Sequence, residues 1–138
     1  MNRKTSLSPL ALGAALAVAG CSPMSEYHTV EFKVTLDGQP VNWAIVTMIP
    51  INANSHSSAT CLTDGHGEGK VSSLGMPGAL RGSYKVIIKK QKGFDTKRPE
   101  EDKELPAKYG MAETTPFDVT VPVNGQQTLA MESGKSAN

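Results

Sequence analysis

The feature that most constrains the fold is an alternation of apolar and polar residues with a period of two. In the segment TVEFKVTL (29–36), every second residue from Val30 to Leu36 is apolar, and the residues between them are charged or polar. Successive side chains of a strand point to opposite faces of a sheet, so this pattern predicts a strand with one buried face. Asp37-Gly38 follows, a pair typical of the tight turn in a β-hairpin.

The same pattern along the chain predicts an all-β fold with seven strands. They are expected at 30–36, 41–50, 59–64, 69–74, 82–90, 116–123 and 126–132. The third and fourth strands are predicted to form a hairpin around residues 65–68, and the last two another around Asn124-Gly125. Seven short strands separated by turn residues predict a β-sandwich, here over residues 27–132 with a tail at 133–138.

The core is expected to depend on aliphatic residues and methionine, because only 5% of the chain is aromatic. In the fifth predicted strand, Tyr84, Val86 and Ile88 share one face. We expect them to point into the core together with Phe32 and Val34.

The first twenty residues have the composition of a secretory signal peptide. Arg3 and Lys4 form a charged beginning, and an apolar run at 10–20 follows. This run is too short for a helix that crosses a hydrocarbon layer about 30 Å thick. A buried core helix would carry polar residues on one face, and none interrupts this run. Residues 1–20 are therefore predicted to be a signal peptide.

The end of this run, Val18-Ala19-Gly20-Cys21, resembles the lipobox of bacterial lipoproteins. In that family the cysteine thiol receives a diacylglycerol, the signal is cut before the cysteine, and the new amine is often acylated with a fatty acid such as palmitate. The resemblance implies that Cys21 is a lipid anchor and that residues 21–26 form a short tether. Two or three acyl chains give stable anchoring. The alternatives are an ordinary cleavage site and a disulfide with Cys61.

The charge balance argues against a nucleic-acid partner. The formal net charge of the whole chain is +1. Loss of residues 1–20 removes Arg3 and Lys4 from the 14 basic residues and none of the 13 acidic ones, so about −1 remains. Proteins that bind nucleic acids usually carry a clear basic excess that neutralises phosphates.

The sequence contains no pattern typical of a catalytic or metal site. His28, His56 and His66 lack the spacing of metal ligands. Cys61 has no basic neighbour in sequence that would activate its thiol, so we expect it to be a small buried residue. The chain is therefore predicted not to be an enzyme and to need no cofactor.

A long polar segment at 91–115 separates the fifth and sixth predicted strands. Loops of this length are uncommon unless they are functional or partly disordered. Within it lies the apolar island LPAKYG, from which Leu105 and Tyr109 are expected to pin the segment as a strap across the sandwich. The alternative is a partner-binding loop, in which Tyr109 offers an aromatic face and Lys108 a cation.

Four segments in this order resemble small bacterial lipoproteins with a carboxypeptidase regulatory-like, transthyretin-like domain. They are VTLDGQPVNWAIVTMIP, TDGHGEGKV, GALRGSYKVII, and LPAKYG followed by TTPFDVTV, and the resemblance covers nearly all of 27–131. It implies a seven-stranded transthyretin-like sandwich and a T-D-x-x-G turn that requires Gly67. The family often has an aromatic residue two positions after this glycine, where Gly69 stands here. This departure predicts a weakened fourth strand or a bulge.

The expected function follows from the anchor and the resemblance. The chain is predicted to be an envelope lipoprotein on the cell membrane or outer membrane, facing the periplasm or the cell exterior. Its domain is expected to be a non-catalytic binding or structural module whose partner is an envelope protein or polysaccharide. The alternative is an accessory domain that presents a partner or polysaccharide to an envelope hydrolase.

Overall fold

The computed structural model describes residues 20, 26–52, 57–90 and 104–134. Several features predicted from the sequence lie outside these residues. They are the signal peptide apart from Gly20, Cys21 with the tether up to residue 25, His56, positions 91–103 of the long segment, and positions 135–138 of the tail.

The fold is all-β, with no α-helix in the part of the chain that the structure describes. Its strands are β1 (Tyr27–His28), β2 (Glu31–Leu36), β3 (Gln39–Pro40), β4 (Ala44–Pro50), β5 (Ala59–Leu62), β6 (Glu68–Lys70), β7 (Ser72–Ser73), β8 (Met76–Pro77), β9 (Ala79–Leu80), β10 (Gly82–Lys90), β11 (Asp118–Val121) and β12 (Gln127–Met131). A short 3₁₀ helix, Ala107–Gly110, precedes β11.

Two sheets carry most of these strands. The large sheet has the order β11-β10-β4-β5-β7-β8, and the small sheet has the order β12-β2-β3, with β6 also paired to β2. β1 and β9 form a separate two-stranded sheet. Buried side chains from the large and small sheets form one hydrophobic cluster, an arrangement consistent with a β-sandwich.

The predicted inward faces are confirmed. Phe32 and Val34 of β2 are fully buried, and so are Tyr84, Val86 and Ile88 of β10. The hydroxyl of Tyr84 donates a hydrogen bond of 2.8 Å to the carbonyl oxygen of Leu80, so its polar atom is satisfied at the rim of the core. Burial also raises the pKa of this phenol.

The predicted hairpin of the last two strands is wrong. β11 pairs antiparallel with β10 in the large sheet, whereas β12 runs parallel to β2 in the small sheet. The turn at Asn124-Gly125 therefore carries the chain from one sheet to the other. Either pairing satisfies the same alternation of buried and exposed residues, so the pattern did not identify the partner strand.

The predicted hairpin of 59–64 with 69–74 is confirmed only in part, because the second segment divides between the sheets. β6 pairs with β2, and β7 pairs with β5 through Ser72 and Thr60. The crossing takes place at the buried Val71, whose N–H donates to the carbonyl oxygen of Val30 at 2.9 Å. A continuous strand was predicted because the apolar pattern does not reveal where a chain changes sheets.

Gly69 allows β6 to approach β5 closely. A Cβ atom at this position would lie 2.9 Å from Sγ of Cys61 and 3.1 Å from the carbonyl oxygen of Leu62. Across the strand pair, Gly69 faces Phe32 of β2. The side chain of Cys61 and the carbonyl oxygen of Leu62 thus lie where an aromatic side chain at position 69 would have to fit.

The two ends of the domain can be distinguished by following the strands. β10 begins at Gly82, immediately after the β1-β9 sheet, and its other end at Lys90 pairs with Ala44. We call the end that holds β1 and β9 the proximal end, and the opposite one the distal end. β2 and its parallel neighbour β12 both run from proximal to distal, so the turn at Asp37-Gly38 is distal.

Truncation of the central core residue is expected to destabilise the domain strongly. Tyr84→Ala should lower the free energy of unfolding by on the order of 3 kcal/mol, because it leaves a large cavity in the core. The matched control Tyr84→Phe keeps the ring and loses only the hydrogen bond to Leu80, so it should cost about 1 kcal/mol. Urea denaturation of both variants measures the free energy of unfolding. Equal losses of this free energy in the two variants would contradict the proposed importance of the buried ring.

Candidate functional site

The segment that leads from the predicted anchor enters the fold at the proximal end. Cys21 itself lies outside the described residues, which resume at Glu26. Tyr27 pairs with Leu80 and His28 pairs with Ala79, so this segment is fixed on β9 as soon as the domain begins. Gly78 makes the close approach possible, because its φ is +95° and a Cβ there would collide with the backbone carbonyl of His28.

At the distal end, the strap is held by Tyr109. Its side chain is 3% exposed, and its ring stacks on Phe117 with centroids 5.4 Å apart. The hydroxyl oxygen accepts a hydrogen bond of 2.9 Å from the backbone N–H of Glu132, at the end of β12. Leu105 is partly buried against the same core. These contacts agree with the interpretation of Leu105 and Tyr109 as pins.

A second attachment fixes the C-terminal part of the strap on the large sheet. The buried hydroxyl of Thr115 donates to the carbonyl oxygen of Val86 at 2.7 Å and accepts the N–H of Phe117 at 3.2 Å. Val86 in turn donates its N–H to the carbonyl oxygen of Phe117. The strap therefore bridges β10 of the large sheet and β12 of the small sheet.

Lys108 is the exposed member of the predicted partner-binding pair. Its ammonium lies 4.9 Å from the ring centroid of Tyr109, within the range of a cation–π contact. Its carbonyl oxygen accepts the hydroxyl of Thr114 at 2.7 Å. The ring of Tyr109 is covered, so Lys108 is the side chain of the pair that solvent reaches. Partner binding by these two residues stays a prediction.

Sequence reasoning missed a surface depression that lies beside the strap. It has a volume of about 400 Å³ and is lined by Asp37, Gly38 and residues 130–134. Asp37 forms one wall: its N–H donates to the carbonyl oxygen of Met131 at 2.9 Å, and its carboxylate accepts the N–H of Ser133 at 3.0 Å. Glu132, another lining residue, is the one bonded to Tyr109, so the depression and the strap are continuous.

The only sequence signal for this depression was the Asp37-Gly38 turn. Both residues adopt left-handed conformations, as a two-residue hairpin turn requires. Nothing in the sequence linked that turn to Ser133, which lies 96 positions further along the chain.

The remaining reactive side chains are separate from one another. Cys61 is buried, and its burial raises the pKa of the thiol to about 11. His28 lies in β1 and His66 in the turn after Asp64. Within the described ranges, no group of three or more His, Cys, Asp and Glu side chains is placed to hold a metal ion. Over the same ranges, no helix is long and apolar enough to cross a membrane.

Comparisons of the chain with protein-family models, with curated proteins and with solved structures found no match. The candidate functional surface comprises the strap with Lys108 and the adjoining depression, both at the distal end.

Removal of the Tyr109 side chain should release the strap. We expect Tyr109→Ala to lower the free energy of unfolding by on the order of 3 kcal/mol, since a buried aromatic ring and its stacking partner are lost. Tyr109→Phe keeps the stacking and should cost about 1 kcal/mol. Lys108→Ala, at an exposed neighbour, should leave thermal melting nearly unchanged. A Tyr109→Ala variant that melts like the wild type would show that the ring does not hold the strap.

Proposed function

We propose that the chain is a membrane-anchored lipoprotein of the cell envelope, lipidated on Cys21. The observation that carries this proposal is the apolar run at 10–20 that ends in Val18-Ala19-Gly20-Cys21. A further support is that β1 begins only six residues after this cysteine. The domain then faces the periplasm or the cell exterior, on either the cell membrane or the outer membrane.

We further propose a transthyretin-like, carboxypeptidase regulatory-like fold for the domain. As support, the seven predicted segments overlap β2, β4, β5, β6 with β7, β10, β11 and β12, which are among the twelve short strands of the described residues. Two local features support the resemblance. Gly67 has the positive φ that the T-D-x-x-G turn requires, and Tyr84 points inward two residues after Gly82.

In this proposal the domain is a non-catalytic binding or structural module, and its distal end contacts the partner. The distal end lies opposite the point where the anchored segment enters, so it faces away from the lipid. It carries the exposed Lys108 beside a depression with the acidic residues Asp37 and Glu132. An envelope protein or a polysaccharide with polar groups is the class of partner that such a surface suits.

The anchor is tested by labelling cells with a fatty-acid analogue. We expect Cys21→Ala to abolish labelling, because this variant lacks the thiol that would receive the lipid. Cys61→Ala is the matched control and should keep the label, since its thiol is buried in the folded domain. Equal labelling of the wild type and Cys21→Ala would refute the proposed anchor.

The distal surface is tested by crosslinking in intact envelopes, followed by pulldown. Lys108→Ala should reduce recovery of the partner several-fold while thermal melting stays unchanged. Lys85→Ala, at a half-buried lysine of β10, is the control and should recover the partner normally. Capture of structural envelope proteins supports the structural module, and capture of a hydrolase supports the accessory role. Equal recovery with both variants would contradict partner binding through Lys108.

A further inference from the structure

A small hairpin at the edge of the large sheet exposes apolar side chains to solvent. β7 and β8 pair through Ser73 and Met76, and the connecting turn is Leu74-Gly75. Leu74 is 81% exposed and Met76 is 48% exposed. All four residues of the tip, 74–77, are exposed, and none of them is charged.

The strand register directs this tip toward the proximal end. β5 runs from proximal to distal, because Ala59 pairs with Met48 near the proximal end of β4 and Leu62 pairs with Ile45 near its distal end. β7 is antiparallel to β5, so the chain at Ser73 runs in the proximal direction and the turn projects beyond it.

The tip is also adjacent to the segment that leads from Cys21. The residue after the hairpin, Gly78, packs directly against the backbone of His28. Only five peptide steps separate Cys21 from Glu26, which limits the distance between their Cα atoms to about 18 Å. A lipid attached to Cys21 would therefore hold the hairpin close to the membrane surface.

Folding alone does not favour a leucine at position 74. Its φ is +50°, a conformation in which glycine, asparagine and aspartate are preferred in two-residue hairpins. Its side chain also gains little burial within the domain. The backbone conformation of Leu74 is thus unfavourable. The exposure of its side chain is also unfavourable unless another apolar phase covers the tip.

The charges around the hairpin fit a lipid surface. Residues 71–80 contain no charged side chain, and Lys70 and Arg81 border them on either side. Both of these cations are exposed, and Lys70 also forms an ion pair of 3.1 Å with Glu31 of β2. An apolar tip flanked by cations suits an interface in which side chains enter the acyl region and positive groups stay among the lipid phosphates.

We propose that the β7-β8 hairpin inserts its tip, Leu74 and Met76, into the outer part of the bilayer to which Cys21 is anchored. The inference rests on the proposed lipid anchor. The hairpin would then be a second membrane contact that sets the orientation of the domain, with the distal surface turned away from the membrane.

The experiment uses an environment-sensitive fluorophore on single introduced cysteines in the lipidated full chain. Met76→Cys is compared with Met111→Cys, because both methionines are 48% exposed. Met111 is the distal control, because it follows Gly110, which lies beside Ile88 in the distal half of β10. Cys61 should not react, since its buried thiol has a pKa of about 11 and stays protonated at neutral pH. The proteins are reconstituted into vesicles of phosphatidylethanolamine and phosphatidylglycerol, with and without lipids that carry a nitroxide on the acyl chain.

We expect a blue-shifted emission and at least two-fold quenching by the nitroxide lipids at position 76, and neither effect at position 111. Adding Leu74→Asn to the position 76 variant should reduce the quenching while thermal melting is kept or raised, because asparagine suits the positive φ. Equal quenching at both positions overturns the proposal. A blue shift of the emission at position 76 that grows with protein concentration and occurs without quenching also overturns it, because it would identify a second copy of the chain at the hairpin.

Flotation with the same vesicles separates this proposal from the anchor. If the wild type floats and Cys21→Ala does not, the anchor stands whatever the hairpin does. The Cys21→Ala variant is produced without residues 1–20, so that the apolar run at 10–20 cannot bind the vesicles. If this variant floats like the wild type, the proposed anchor fails, and the orientation proposed on its basis fails with it.

Discussion

The turn at residues 63–68 ties the two sheets together, and the rest of the domain depends on it. The hydroxyl of Thr63 is buried and fully used: it donates to the carbonyl oxygen of Val41 at 2.7 Å and accepts the N–H of Ala44 at 2.9 Å. A buried hydroxyl without these partners would cost about 1–3 kcal/mol. At the other side of the turn, Gly67 accepts the N–H of Val34 at 2.7 Å. One turn thus fixes the beginning of β4 in the large sheet and the middle of β2 in the small sheet.

The side chain of Asp64 makes this turn rigid. Its carboxylate accepts the backbone N–H groups of His66 at 2.8 Å and Glu68 at 2.9 Å, and these bonds lower its pKa. Glu68 then begins β6, where two cross-strand ion pairs join β6 to β2, Lys33 with Glu68 and Lys70 with Glu31. The chain therefore leaves the large sheet and enters the small one in a single defined register.

With both sheets fixed in this way, the strap and the depression form at the distal end and the apolar hairpin at the proximal end. The proposed functions divide along the same axis, with lipid contact at one end and partner contact at the other.

Much of the core could be predicted from the sequence, because a period of two couples burial directly to position in a strand. Phe32, Val34, Tyr84, Val86 and Ile88 all point inward as that rule requires. The partners of the strands could not be predicted in the same way. Asn124-Gly125 has the composition of a hairpin turn, yet it joins strands of different sheets. A turn motif describes the local backbone, and it contains no information about which distant strand completes the hydrogen bonds.

The sequence by itself determined the alternating faces of the main strands, the glycine-dependent turns and the pattern that predicts lipidation at Cys21. These are local properties, set by the side chains and backbone preferences of neighbouring residues. Only the tertiary structure decided that Tyr109 is bonded to Glu132, that Asp37 meets Ser133, and that the hairpin with Leu74 lies beside the segment leading from Cys21. The physical reason is that each of these contacts joins residues far apart in the chain. Their proximity depends on how two sheets pack around one core, which no local pattern encodes.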